Sequence, residues 1–192
     1  FLYATDFHNN KVDVFDTHFA KQTTSATAFT FTDPAIPAGY APFGIQAVVT
    51  GGATPVTQIV VTYAQQQAPD NHDNANGAGL GYVDLYDTNG KLIKQLVAGG
   101  ALNAPWGIAV APADFGSLAG LLLVGNFGDG TINAYDPFTG DWLGVLQDAS
   151  GNPLAIPGLW GLTMGSGSAN GGDANTLFFT AGIPGDGSVE DH

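Results

Sequence analysis

Cysteine is missing from this chain, arginine is missing too, and the basic residues are four lysines. Without thiols there is no disulfide, no zinc–thiolate or iron–sulfur site and no cysteine nucleophile. Four lysines against 17 acidic residues leave a formal net charge of −13. That balance cannot build the basic face a nucleic-acid binder needs. Glutamate occurs once, at Glu190. A helical bundle would need many more Glu, Lys, Arg and Leu at helical spacing, and far less glycine. No apolar run reaches the ~20 residues of a membrane-spanning helix. What is plentiful is glycine (28), proline (11) and apolar residues, with 44% hydrophobic and 11% aromatic positions among 192. Such a chain can bury a core, which argues against disorder.

A repeat lies under unequal loops. Segments 11–16, 82–87 and 131–136 align without gaps as Lys-Val-Asp-Val-Phe-Asp, Tyr-Val-Asp-Leu-Tyr-Asp and Thr-Ile-Asn-Ala-Tyr-Asp. Each alternates with period two and so reads as a strand. Each ends in an aspartate, Asp16, Asp87 or Asp136, that runs into a turn, where its carboxylate can accept backbone N–H bonds. A more apolar strand precedes each of them, at 1–5, 58–63 and 121–125, with a fourth copy at 176–181. A third signal, Ala41-Pro42-Phe43-Gly44-Ile45, Ala104-Pro105-Trp106-Gly107-Ile108 and Gly158-Leu159-Trp160-Gly161-Leu162, opens a further strand at 45–49, 108–111 and 162–164. Hairpin partners at 92–96 and 142–146 complete a four-stranded unit. The segment 65–80 is an insertion, and 112–118 reads as one helical turn.

The unit recurs after 63 residues from Gly44 to Gly107 and after 54 from Gly107 to Gly161, the difference sitting in loops. Four-stranded antiparallel units recurring at roughly 40–50 residues are the signature of a β-propeller. The expectation is an all-β propeller segment of about three and a half blades from a six-bladed ring. Its blades are a partial one at 1–40, complete ones at 41–103 and 104–157, and a partial one at 158–192. The chain opens at Phe1 as if within a strand and stops at His192 as if within a loop, so a longer parent chain is expected.

The strings at 4–16 (Ala-Thr-Asp-Phe-His-Asn-Asn-Lys-Val-Asp-Val-Phe-Asp), 104–108 and 124–133 (Val-Gly-Asn-Phe-Gly-Asp-Gly-Thr-Ile-Asn) resemble a bacterial family of uncharacterised NHL-like β-propellers. Some of its members carry exosortase-type (PEP-CTERM) sorting tails. The resemblance covers essentially the whole chain. It implies missing blades on the N-terminal side, further sequence after His192, and a secreted or cell-surface protein. It implies no reaction.

In four-stranded antiparallel blades, the loop between the second and third strands opens on the same face as the start of the first strand. That face is expected to collect Phe43, Trp106 and Trp160, with Asn126, as a ligand platform. It also collects His8, His72 and His192 and the acidic residues Asp6, Asp70, Asp73, Asp129, Asp186, Glu190 and Asp191. Carboxylates and amides suit a divalent cation such as Ca²⁺, and histidines beside carboxylates suit a transition metal. Asp6, His8, Asp70, His72, Asp73 and Asp129 are therefore the candidate metal ligands. The plainer reading is that Asp and Asn shape loops by bonding their own backbone, and that an aromatic–Gly pair packs neighbouring units together. His18 falls at the opposite end. No G-x-S-x-G elbow occurs, and Ser166 and Ser168 sit in a Gly/Ser loop. Two functions stand: a non-enzymatic exported module binding another extracellular protein, a glycan or copies of itself, and a Ca-type hydrolase or lactonase-like enzyme.

Overall fold

The computed structural model describes residues 1–23, 28–50 and 55–182. Within them the protein is all-β: four antiparallel sheets and a single 3₁₀ turn at Gly116–Leu118. The first sheet pairs β1 (Leu2–Asp6) with β2 (Lys11–Phe15). The second runs β3 (Tyr40–Thr50), β4 (Val56–Gln65), β5 (Tyr82–Tyr86) and β6 (Leu92–Ala98) in chain order. The third repeats that order with β7 (Pro105–Val110), β8 (Leu122–Asn126), β9 (Ile132–Tyr135) and β10 (Trp142–Val145). The fourth pairs β11 (Leu159–Met164) with β12 (Leu177–Ala181). Among the described residues, no helix is long and apolar enough to cross a membrane.

The turns follow from aspartate chemistry. Asp16 Oδ1 accepts the backbone N–H groups of His18 and Ala20 at 2.8 and 2.9 Å. Asp87 does the same for Asn89 and Lys91 at 2.8 and 2.9 Å. Asp136 binds Phe138 and Thr139 at 2.7 and 2.8 Å. These amide bonds hold the Asp136 carboxyl below the usual carboxylate range. The three aligned aspartates are thus turn formers, and His18 beside one of them is exposed.

Burial follows the alternation of the strands. Val83 and Leu85 of β5 join Val60, Leu96, Ile108 and Val124 in the core between the second and third sheets. Tyr86, on the other face of β5, joins Val12, Val14, Phe31 and Tyr63 between the first and second sheets. A third core of Leu123, Ile132, Ala134, Leu159 and Leu162 lies between the third and fourth. Val60 and Val61 are both fully buried, so β4 is covered on both faces, as its continuous apolar sequence suggests.

The start of each inner strand departs from the sequence expectation. Strands were expected from Ile45, Ile108 and Leu162, yet β3 begins at Tyr40, β7 at Pro105 and β11 at Leu159. The aromatic–Gly pair lies inside each strand, at a register shift between Pro42 and Ile45, Pro105 and Ile108, and Leu159 and Leu162. A bulge absorbs the extra residues and lets the strand continue through Gly. Gly44 must be glycine, because a Cβ there would collide with the Trp106 carbonyl oxygen. Gly107 stands in the same relation to the Trp160 carbonyl. Neighbouring inner strands therefore touch backbone to backbone at one repeated step.

One buried carboxyl interrupts this apolar packing. Asp84 is fully buried; its Oδ2 accepts the Tyr86 hydroxyl at 3.0 Å, and Tyr86 meets the Tyr63 hydroxyl at 2.6 Å. Asp84 Oδ1 has no hydrogen-bond partner among the described residues. Burial pushes Asp84 up to about 7; the Tyr86 hydrogen bond opposes this and the Asp33 charge adds to it. The folded chain thus holds a proton that the unfolded chain releases near pH 4. The stability this confers is full below that pH and is lost as pH rises through about 7, at no more than about 1.4 kcal/mol per pH unit. Melting temperature is expected to fall between pH 5 and 7.5 in the native chain and to stay level in Asp84→Asn. An equal slope in both proteins would refute the assignment.

Candidate functional site

The β1–β2 turn supplies one side of the site. Asp6 closes it by accepting the Asn9 amide N–H at 3.2 Å and the Asn9 side-chain amide at 2.9 and 3.0 Å. Asn10 takes a positive φ of 51°, a conformation that asparagine tolerates. Lys11 lies 3.0 Å from Asp6 and 3.0 Å from Asp13, and Lys21 lies 2.7 Å from Asp13. Burial pushes the Asp6 carboxyl up, but hydrogen bonds from Lys11 and Asn9 outweigh it and leave Asp6 below the usual range. Lys21, with help from Lys11, holds Asp13 down against its own burial. The same bonds push the Lys11 ammonium above the ordinary lysine range. These groups stay charged at neutral pH. The pairs are largely solvated, so they shape the turn more than they stabilise the fold.

The long β4–β5 connection supplies the second side. It is folded on itself by Gln67 N–H to Asp73 O and Ala75 N–H to Gln65 O, both at 2.8 Å. Gln66 Nε2 ties it to the first turn, donating to Phe7 O at 2.6 Å and His8 O at 3.3 Å. This clamp brings two histidines together across the chain: the His8 and His72 rings stack with centroids 4.4 Å apart and planes 18° apart.

Aromatic rings form the wall behind them. Phe7 packs on Phe43 at 4.8 Å, Phe43 on Trp106 at 4.6 Å, and Trp106 stacks on Trp160 at 5.8 Å. Phe127, from the β8–β9 turn, meets both Phe43 and Trp106 at about 6 Å. One ring thus comes from each successive sheet, because the aromatic–Gly step places Phe43, Trp106 and Trp160 at the same height. Between this wall and the two histidines lies a cavity of about 460 Å³. That volume falls within the range of small-ligand sites, about 300–1,000 Å³. Two larger hollows, of about 900 and 620 Å³, bring no histidine to their walls among the described residues.

The candidate residues separate clearly. Asp6, His8, His72 and Asp73 line the cavity with Phe43 and Trp106. Trp160 lies behind Trp106 and does not line it. Asp70 is exposed on its loop, away from the cavity. Asp129, expected to share a pocket with Asp6 and His8, does not line it. Its Oδ2 accepts the Asn103 amide at 3.0 Å, and its Oδ1 accepts the Thr131 amide N–H and hydroxyl at 2.9 and 2.6 Å. Asn126 is fully buried and donates to Ala101 O at 2.8 Å while accepting the Asn103 N–H at 3.1 Å. Asn126 and Asp129 therefore brace the second sheet's exit against the β8–β9 turn. Ser166 and Ser168 bond each other at 2.7 Å. His192, Asp186, Glu190 and Asp191 lie outside the described residues. Among the described residues, no group of three or more His, Asp or Glu side chains is gathered closely enough to hold a metal ion.

Phe7, Phe127 and Asn74 also line the cavity, and sequence reasoning did not single them out. A signal for two of them was present: Phe7 follows Asp6 and Phe127 follows Asn126 at the same point of two aligned units.

No protein-family model matches the chain. Three similar proteins come from Acanthamoeba polyphaga mimivirus. The chain is 35% identical to its Uncharacterized protein R640 over 170 residues, 86% of this chain and 30% of that protein. It is 34% identical to Uncharacterized protein R648 over 186 residues, 95% of this chain and 42% of that protein. It is 32% identical to Uncharacterized protein L690 over 165 residues, 84% of this chain and 41% of that protein. The chain therefore spans between about a third and two fifths of the relatives it matches. These viral relatives, with no matching family model, correct the resemblance to a bacterial NHL-like family. The shared strings at 4–16, 104–108 and 124–133 are largely turn and strand-pairing residues, which mark an architecture more than a lineage.

If Asn126 is a brace, Asn126→Ala should lower unfolding free energy by about 1–3 kcal/mol, the cost of stranding buried polar partners. Asp70→Ala on the exposed loop should change it by less than about 0.5 kcal/mol. Urea denaturation checks both. Equal, small effects would remove the structural role from Asn126.

Proposed function

We propose that this chain is about three and a half four-stranded units of a six-bladed β-propeller, and that it works as a non-enzymatic binding module whose ligand site is the aromatic-walled cavity. The observation that carries the binding reading is the convergence of Phe7, Phe43, Trp106 and Phe127 with His8 and His72 around one hollow. Six residues from five separate parts of the chain build it, and a rim of His, Asp and Asn side chains offers donors and acceptors for orientation.

Several features support the ring. The four sheets follow one another in chain order, each packed on the next through its own apolar core. The first and last sheets have only two described strands, which leaves one edge each of β1 and β12 without a described partner, with Phe1, Leu2, Phe178 and Phe179 exposed there. Such edges pair readily with another strand, of the same protein or of a partner. The greater length of the relatives is consistent with further units. Export belongs to the same proposal and is supported by the cysteine-free, arginine-free composition alone.

The hydrolase reading asks for a metal held by several ligands. The closest approach to it is His8 and His72 with Asp6 and Asp73 on one cavity. The His8 and His72 rings stack on each other, and among the described residues these side chains are not gathered closely enough to hold a metal ion. Binding through the aromatic wall is the better use of this geometry.

A protein-observed NMR screen of neutral, cationic and anionic fragments tests the binding role. Hits are expected to perturb the Trp106 indole signal and to weaken in His8→Ala. A screen with no hit that moves Trp106, or hits indifferent to His8, would contradict it.

A further inference from the structure

We infer that the cavity selects small organic cations, of the quaternary ammonium or alkylamine class. The inference rests on the binding role proposed above and adds the charge of the ligand. The walls are rings, whose π faces carry partial negative charge and attract cations. The ionisable residues on the lining are three aspartates, Asp6, Asp13 and Asp73, and two histidines, His8 and His72; no lysine lines the cavity among the described residues. The positive groups that neutralise Asp6 and Asp13 are Lys11 and Lys21, which line the neighbouring hollow instead. Asp73 forms no ion pair among the described residues and stands on the rim beside His72. Its carboxylate is the one left to face an incoming charge.

The wider field agrees with this. A formal charge of −13 on 192 residues surrounds the mouth with negative potential and draws cations toward it. An anion would meet that field and the Asp73 carboxylate, with imidazole N–H groups of His8 and His72 but no lysine on the described lining to offset them. A neutral ligand would gain only the ring contacts. A cation gains ring contacts, ring electrostatics and the carboxylate together. The volume of about 460 Å³ leaves room for an ammonium with a substantial organic body.

The test compares choline with 3,3-dimethylbutan-1-ol, its uncharged carbon isostere, at matched ionic strength. Tryptophan fluorescence and the Trp106 indole NMR signal follow binding. Choline is expected to bind at least about tenfold more tightly than the isostere, the size of one moderate cation–π contact. Asp73→Asn, on an exposed loop, should reduce that preference at least about threefold while leaving the circular dichroism spectrum unchanged. Trp106→Leu should abolish it; if that variant misfolds, Asp73→Asn still decides the matter. Equal affinities for choline and the isostere would overturn the cation class and leave the binding role standing. If neither ligand binds while other fragments perturb Trp106, the cation class also falls alone. If nothing binds at all, both readings fall.

Discussion

The contact on which the rest of this structure depends is the step between neighbouring inner strands. Gly44 lies against the Trp106 carbonyl, and Gly107 against the Trp160 carbonyl, at distances that leave no room for a side chain. A bulge at each step admits the aromatic–Gly pair without ending the strand. The consequence is positional. Because the backbones touch at one height in each sheet, the rings that precede the glycines line up as Phe43, Trp106 and Trp160, and pack in sequence, the first pair tilted and the second stacked. The aromatic wall of the cavity is therefore a by-product of how the sheets are joined. A fold that needs this packing for stability provides a rigid, partly exposed aromatic surface at no added cost in conformational entropy.

The polar residues divide into those that build this frame and those that face the hollow it makes. Asn103 and Asn126, both buried, find partners in the exposed Asp129, the half-buried Thr131 and the surrounding backbone, as buried polar groups must. Gln66 holds the two loops that carry His8 and His72. His8, His72 and Asp73 stand on the hollow's rim, where they can meet something else. Asp84, buried among tyrosines between the first two sheets, belongs to neither set. It is a cost that the surrounding core carries, and it makes the fold sensitive to pH in a range where most carboxylates are silent.

Much of this was legible in the sequence. The alternation at 11–16, 82–87 and 131–136 gave the strands, and the terminal aspartates gave the turns, because both signals are local. The repeated Phe-Gly and Trp-Gly pairs marked equivalent positions in successive units, and His8, His72, Asp6 and Asp73 do share a cavity with Phe43 and Trp106. The misses are long-range. The Phe43–Gly44 pair reads as the entry to a strand that begins at Ile45, whereas the strand already runs from Tyr40 and a bulge carries it through the pair. Asn126 and Asp129 carry the same residue types as a ligand site, and only the partners at Asn103 and Ala101 show that they are spent on the frame. Asp84 sits in a strand at a polar position of the alternation, and nothing nearby in sequence says that Phe31 and the first sheet will cover that face. The resemblance to a bacterial family gave way to viral relatives because the matched strings encode turns and pairing that many β proteins can share.

In the proposed ring the aromatic–glycine step repeats from each sheet to the next until the first and last meet. A high-resolution structure of the longest natural chain decides whether it does. Six four-stranded sheets around one axis are expected, with β1 and β12 each paired on its open edge and the Phe43, Trp106 and Trp160 rings facing one end of the central channel. Sheets stacked in an open row, or an added segment that caps β12 without another four-stranded sheet beyond it, would rule the ring out.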